Sequence, residues 1–118
     1  MFMFIPLSSI AQEREFVFWV NEKRAARLAP KLTYEPKHQG HLTDIAKAMS
    51  KKYCHCYSGA YLGEVMTKSM SLEACFESLM LSDSHRKIMM SRKARRATVG
   101  VYQNGGWWNV VMRVYGKR

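Results

Sequence analysis

The chain has 118 residues, of which 47% are hydrophobic and 24% are charged, and its formal net charge is +10. This length is typical of one domain that buries roughly two-thirds of its unfolded surface, and the apolar content excludes wholesale disorder. No apolar run in the sequence approaches the roughly 18 residues that a transmembrane helix needs. Three Cys cannot form a fully paired framework, which excludes a disulfide-stapled miniprotein.

The positive charge is concentrated in the C-terminal third. Residues 1–83 carry ten basic and nine acidic side chains, whereas residues 84–118 carry nine basic side chains and no acid. A one-sided basic surface attracts polyanions such as nucleic acid, anionic lipid or acidic cell-wall polymer. The alternative is a solvated basic face that only keeps the protein soluble. The candidate anion-binding residues are Arg92, Lys93, Arg95 and Arg96.

The N-terminus permits two interpretations. A short apolar stretch over residues 2–7 precedes Ser9-Ile10-Ala11, which has the small-x-small pattern of a signal-peptidase site. Residues 1–12 are therefore expected to be either a signal-peptide remnant or an arm that covers the core. The domain itself is expected to span residues 13–118. We favour the signal peptide, and with it secretion.

Two helices are predicted in the first half of the chain. Residues 12–29 place apolar side chains at near-helical spacing, and Pro30 ends the pattern. A second helical pattern covers residues 36–52, with His38 on its apolar face. Residues 53–70 lack periodicity and are expected to form a long functional loop.

The second half of the chain combines helices with strands. Ser71 is a suitable N-cap for a third helix, and a short helix is expected over residues 85–90. Two β-rich runs, at residues 97–102 and 107–115, flank Asn104-Gly105, which is a strong hairpin signal. Helices first and strands last predict a single α+β domain. The apolar face of the third helix consists of Leu72, Cys75, Phe76, Leu79 and Met80.

Two of the four His are candidates for chemistry. His55 and His85 lie on loop-like segments, and Glu64 lies on another. Together they could converge into a polar cleft that binds a divalent metal or performs acid–base chemistry. His38 is better explained as a buried, hydrogen-bonded side chain, and His41 is expected to be exposed.

The three Cys permit a soft-metal site, but their spacing and the position of Cys75 argue against it. Cys54-x-Cys56 lacks the usual C-x-x-C spacing, and Cys75 lies on the apolar face of its helix. The preferred interpretation is a buried thiol at Cys75 or one disulfide from Cys75 to Cys54 or Cys56. The sequence contains no G-x-S-x-G, P-loop, G-x-G-x-x-G or H-E-x-x-H motif, so catalysis by a recognisable nucleophile is unsupported.

Short motifs follow one another across residues 13–115 in an order that is typical of a known family. The motifs and their order resemble those of the CAP superfamily. This superfamily includes cysteine-rich secretory proteins, wasp-venom antigens, plant pathogenesis-related proteins and bacterial SCP-like domains. The motifs are Val-Asn-Glu-Lys-Arg at 20–24, Pro-Lys-Leu-Thr-Tyr at 30–34, the helix with Ala46 and Met49, His55, Gly63-Glu64, the His85 box at 82–89, and the runs at 99–101 and 107–111.

The resemblance implies an α-β-α sandwich with a small antiparallel sheet between helix layers. It also implies a surface cleft formed by His55, Glu64 and His85, which some relatives use to hold a divalent metal such as zinc. Two departures argue against a complete tetrad of two His and two Glu. Val65 replaces the family's Asn after Glu64, and Ser82 stands near the position where animal and plant members have a second Glu.

We therefore predict a secreted or envelope-associated binding or interaction module that is monomeric and has no enzymatic activity. Zinc or another divalent metal is its candidate cofactor. Its expected partner is an anionic cell-wall polymer, a lipid or a protein, and nucleic acid is disfavoured. One alternative is a metal-dependent hydrolase in which Glu64 is the candidate catalytic base and His55 and His85 hold the metal. Another is polyanion or nucleic-acid binding through the basic C-terminal third.

Overall fold

The computed structural model describes the backbone of residues 7–118 and the side chains of residues 11–118. Residues 1–6, which hold most of the predicted apolar stretch, lie outside the described residues. Within the described part, no helix combines the length and the apolar character needed to cross a membrane. The elements are α1 (Leu7–Ala26), β1 (Thr33–Tyr34), a 3₁₀ turn (Pro36–His38), α2 (Gln39–Ala48), β2 (Gly63–Ser69), α3 (Leu72–Leu81), α4 (Asp83–Met89), β3 (Arg96–Asn104) and β4 (Trp107–Tyr115).

The strands form one sheet in the order β1-β3-β4-β2. The β3–β4 and β2–β4 pairs are antiparallel, and the two-residue strand β1 runs parallel to β3. One face of the sheet packs against α1, α3 and α4, and the other packs against α2. The predicted α+β class and α-β-α sandwich are confirmed, with the difference that the short edge strand is parallel.

Several local predictions are confirmed and others are wrong. The Ser71 hydroxyl accepts a hydrogen bond from the Ala74 amide and caps α3, as predicted. The second helix is shorter than predicted, because a 3₁₀ turn replaces its first turn and α2 ends at Ala48. His38 is half-buried and stacks on the Tyr115 ring. The loop predicted over residues 53–70 is irregular only as far as residue 62, because residues 63–69 form β2.

The buried side chain of Arg24 ties α1 to the segment that leads into β3. Its guanidinium donates to the carbonyls of Met89 and Ser91, both at 2.9 Å, and of Ala94 at 3.0 Å. Its Nε donates to the Pro30 carbonyl at 2.8 Å. These carbonyls replace the water that a buried guanidinium loses, which explains how this charge lies in the core with no acidic partner among the described residues.

Gly100 lets α2 rest directly on the backbone of β3. A Cβ built at this position would overlap the carbonyl group of Leu42 in α2. Because two backbones meet there, the overlap cannot be relieved by turning a side chain. A glycine is therefore required at this point of the sheet.

The change Gly100→Ala is expected to lower the free energy of unfolding by about 1–3 kcal/mol, the usual cost of overpacking a core. The matched change Gly40→Ala, in α2 with open space around its Cβ, should instead raise it by about 0.5–1 kcal/mol through helix propensity. Urea unfolding of both variants measures the difference, and equal stabilities would contradict the close approach.

A buried carboxyl group lies in the first half of α1. Glu13 is fully buried, and neither carboxyl oxygen has a hydrogen-bond partner among the described residues. The Tyr34 hydroxyl and Gln39 Oε1 are buried without partners as well. Burial raises the pKa of the Glu13 carboxyl to about 7. The folded protein therefore holds this group protonated at a pH where the unfolded chain has already released the proton.

Because the folded state binds the extra proton, stability from Glu13 is complete below the unfolded pKa of 4.5 and is lost as pH rises to about 7. The expected slope in that window is up to about 1.4 kcal/mol per pH unit. Glu13→Gln should remove this contribution, whereas Glu15→Gln, an exposed neighbour on the same helix, should leave it. Urea unfolding at a series of pH values tests this, and parallel curves for wild type and Glu13→Gln would refute it.

Candidate functional site

A buried ion pair joins β2 to β4 at the centre of the candidate site. Glu64 and Arg113 are register partners on the two strands. Arg113 Nε donates to Glu64 Oε2 at 2.7 Å, and the two side chains are 4% and 2% exposed respectively. Strand alternation directs both side chains to the face of the sheet that packs against α2, the face that also carries Met66 and Val111. The pair therefore lies beneath the loop that follows α2.

Arg113 also organises that loop. Its Nη2 donates to the Tyr57 carbonyl at 2.9 Å, and its guanidinium lies 4.3 Å from the centre of the Tyr61 ring. Gly59 has a φ of +157°, and a Cβ there would come within 2.6 Å of Arg113 Nη1. One guanidinium thus holds the irregular segment over residues 53–62 against the sheet.

His55 lies on this loop and is oriented by Glu64. Its Nδ1 is 2.9 Å from Glu64 Oε1. An ionised carboxylate can only accept hydrogen bonds, so Nδ1 carries the proton and donates it. In a neutral imidazole, the lone pair of Nε2 is then free, and the side chain is 52% exposed. Cys54 and Cys56, on either side of His55, form a disulfide.

His85 approaches from α4. Its Nδ1 lies 2.8 Å from the hydroxyl of Ser82, the residue that precedes the helix. Burial lowers the pKa of His85, and the nearby His55 lowers it further. Both effects favour the neutral imidazole, which is the form that binds a metal ion.

Each of the two candidate imidazoles is held by a hydrogen bond to one of its nitrogens. Each ring has its Nδ1 engaged, His55 with Glu64 and His85 with Ser82. Both Glu64 oxygens are occupied, one by His55 and the other by Arg113. Among the described residues, no group of three or more His, Cys, Asp and Glu side chains could hold a metal ion. Glu64 is therefore placed to orient His55 from behind, as outer-shell carboxylates do in metal sites.

The fold agrees with the comparisons with known proteins. The model of the cysteine-rich secretory protein family, CAP, matches residues 18–115. The chain belongs to the CAP family. No curated protein matches its sequence.

Solved structures of CAP proteins have the same fold. An extracellular SCP-domain protein from Bacillus anthracis superposes with a TM-score of 0.71 at 12% identity, covering 98% of this chain and 45% of that one. The venom allergen-like protein 4 of Schistosoma mansoni gives 0.69 at 12% identity, covering 91% and 90%. An outer surface protein of Borrelia burgdorferi gives 0.67 at 13% identity, covering 88% and 92%. This chain therefore spans less than half of the Bacillus protein.

The cysteines of this CAP domain agree with one of the two predicted interpretations. Cys75 is a buried free thiol, with Sγ 3.5 Å from the Trp108 carbonyl, and burial raises its pKa to about 11. The buried-thiol interpretation is confirmed. The alternative disulfide from Cys75 is wrong, since Cys54 pairs with Cys56 across a single residue.

Three of the four candidate anion-binding residues donate hydrogen bonds to oxygens of the protein itself. Arg92 donates to the carbonyls of Arg27 and Leu28 at the end of α1, and Arg95 donates to those of Arg92 and Ala94. Lys93 is exposed. Arg96 forms an ion pair with Glu35, and its Nη1 lies 3.0 Å from the Glu35 carboxylate. Much of the basic segment is thus engaged with the protein's own carbonyl and carboxylate oxygens.

Arg113 is the site residue that sequence reasoning missed. It was counted only as part of the basic third of the chain. A usable signal existed, because the β-rich run at 107–115 is otherwise dominated by apolar residues. A charge within such a strand requires a buried partner, and Glu64 is the acid that interrupts the neighbouring strand.

Replacing Arg113 with Met should destabilise the fold by about 3–5 kcal/mol, because Glu64 is left buried without a countercharge. The double variant Glu64→Gln, Arg113→Met should recover much of that loss. The control Asp83→Asn disrupts an exposed pair with Arg86 and should cost no more than about 1 kcal/mol. Urea unfolding distinguishes these outcomes, and an Arg113→Met variant as stable as the control would contradict the buried pair.

Proposed function

We propose that this chain is a secreted or envelope-associated CAP domain that binds a divalent metal ion between His55 and His85 and acts as a binding module. The observation that carries the proposal is the His55–Glu64–Arg113 chain of hydrogen bonds, which fixes one imidazole with its Nε2 directed away from Glu64. Similar structures from Bacillus anthracis and Borrelia burgdorferi are extracellular and outer-surface proteins, which supports the proposed location.

Each residue of the site has a separate role in this proposal. His55 and His85 supply the two imidazole nitrogens, which suit zinc and the later first-row metals. Glu64 and Ser82 hold the rings by their Nδ1 atoms and so reduce the entropy lost on binding. A bound ion would act as a Lewis acid with positions left for water or an oxygen donor of a partner.

The geometry favours binding over the metal-dependent hydrolase. A general base must reach the proton that it removes, and its lone pairs must be available. Both Glu64 oxygens accept hydrogen bonds, and the side chain is only 2% exposed. Glu64 is therefore proposed as a positioning residue. With a net charge of +10, the domain should favour an anionic partner, such as a cell-wall polymer or lipid.

Zinc titration by calorimetry tests the proposal. Wild type should bind one zinc ion, and the double variant His55→Ala, His85→Ala should bind none, because no imidazole ligand remains at the site. The control His41→Ala, an exposed His on α2, should bind as wild type does. In the absence of zinc all three should unfold at similar temperatures, and zinc should raise the midpoint only where it binds.

Equal zinc binding by wild type and the double variant would refute the metal site. Loss of folding in the double variant without zinc would assign the two His to a structural role instead.

A further inference from the structure

A cavity lies at the hairpin end of the sheet, and its lining shares no residue with the His55–Glu64–His85 site. Its volume is about 310 Å³. Its lining combines one large aromatic side chain with amide, hydroxyl and ammonium groups. The lining residues are Ser50, Lys68, Asn104, Trp107 and Asn109. A pocket with one apolar wall and a few convergent polar groups is the usual form of a small-ligand site.

The sheet register places these side chains together. Lys68 on β2 is opposite Asn109 on β4, and Asn104 is opposite Trp107 across the Gly105-Gly106 turn. Trp107 and Asn109 are two residues apart on one strand, so they share a face of the sheet. This is the face that packs against α2, but the helix ends at Ala48 and leaves the hairpin end uncovered.

Ser50 is held at the rim by the buried Asn109. The Asn109 amide group donates to the Ala46 carbonyl and to the Ser50 hydroxyl oxygen, both at 2.9 Å. Because that oxygen accepts a hydrogen bond, its own hydrogen remains available for a ligand. The donor position is therefore set by the protein before anything binds.

Trp107 is the wall of the pocket. Its side chain is 55% exposed, whereas its neighbour Trp108 packs against the other face of the sheet. An indole contributes nothing to the core from this position, but it offers a flat apolar surface beside hydrogen-bonding groups. Lys68 completes the pocket, and no carboxylate within the described residues pairs with its ammonium group.

We propose that this pocket binds one pyranose ring of an oligosaccharide. A pyranose has a face of C–H groups and a rim of hydroxyls, which match an exposed indole surrounded by amide and hydroxyl groups. The ring would lie on Trp107, with its hydroxyls hydrogen-bonded to Ser50 and Asn104. Lys68 would favour a sugar that carries a carboxylate over its neutral counterpart.

The same features argue against single-stranded nucleic acid. Such sites stack successive bases on several aromatic side chains and follow the phosphates with a row of cations. This pocket has one indole and one lysine among its lining residues, and the remaining polar groups are neutral. The lining therefore suits a neutral or singly charged ring better than a polyanionic strand.

The proposal goes beyond the metal-binding function and does not depend on it. Glu64 and Lys68 are four residues apart on β2, which corresponds to about 13 Å along a strand. A failure of zinc binding would leave the sugar site untouched, and the reverse also holds. The experiment is therefore carried out with a chelator present.

In the test, the full chain is titrated with two matched probes, a β-1,4-linked glucose tetramer and a β-1,4-linked glucuronate tetramer. Binding is followed by ¹H–¹⁵N NMR. Both should shift the Trp107 indole resonance, and the glucuronate tetramer should bind more tightly. Trp107→Ala should weaken binding about tenfold or more, as expected for loss of an aromatic stacking partner. The control Phe18→Ala removes an equally exposed aromatic ring from α1 and should have no effect.

Lys68→Gln should abolish the preference for the glucuronate tetramer while retaining binding of the glucose tetramer. No shift at Trp107 with either tetramer at millimolar concentration would overturn the proposal. Unchanged affinity in Trp107→Ala would overturn it as well, because charge alone would then explain binding. Tighter, Trp107-dependent binding of a thymidine oligonucleotide than of both sugars would assign the pocket to nucleic acid instead.

Discussion

The geometry of the His/Glu site depends on the buried ion pair between Glu64 and Arg113. Strand pairing removes both charges from water, which costs several kcal/mol for each ion unless the partner and further hydrogen bonds replace the solvent. The two side chains satisfy each other, and Arg113 uses its remaining donors on the loop that follows α2. Glu64 has a second oxygen, and this oxygen orients His55. The loop and the imidazole are thus positioned by the same pair of charges.

The Glu64–Arg113 pair and the Trp107 pocket lie on the face of the sheet that α2 covers only in part, whereas His85 reaches the metal site from α4. The opposite face packs against three helices and holds most of the core. On the α2 side, the helix contacts the middle of the sheet, where Gly100 allows its backbone to approach and where Met66 and Val111 pack. One end of this face is covered by the loop that carries His55, and the other end is open at Trp107. A short helix on a longer sheet leaves room for polar chemistry at both ends.

Local patterns were sufficient to predict the elements whose signal is local. Apolar spacing predicted α1 and α3, Ser71 predicted the start of α3, and Asn104-Gly105 predicted the hairpin between β3 and β4. β2 was not predicted, because residues 64–67 are all buried and the burial along the strand therefore does not alternate. The buried Glu64 interrupts its apolar run, and that residue becomes compatible with a strand only when Arg113 is opposite.

The sequence by itself determined the fold class, the family and the residue types available for metal chemistry. These depend on periodicity, capping and the order of short motifs, all of which are properties of neighbouring residues. Only the tertiary structure decided how those residues are used. It engaged both oxygens of Glu64, joined Cys54 to Cys56 and paired Arg96 with Glu35. It also assembled the Trp107 pocket from three strands and the segment that follows α2. The physical reason is that strand register and helix packing set distances between residues far apart in the chain, and local patterns carry no information about those distances.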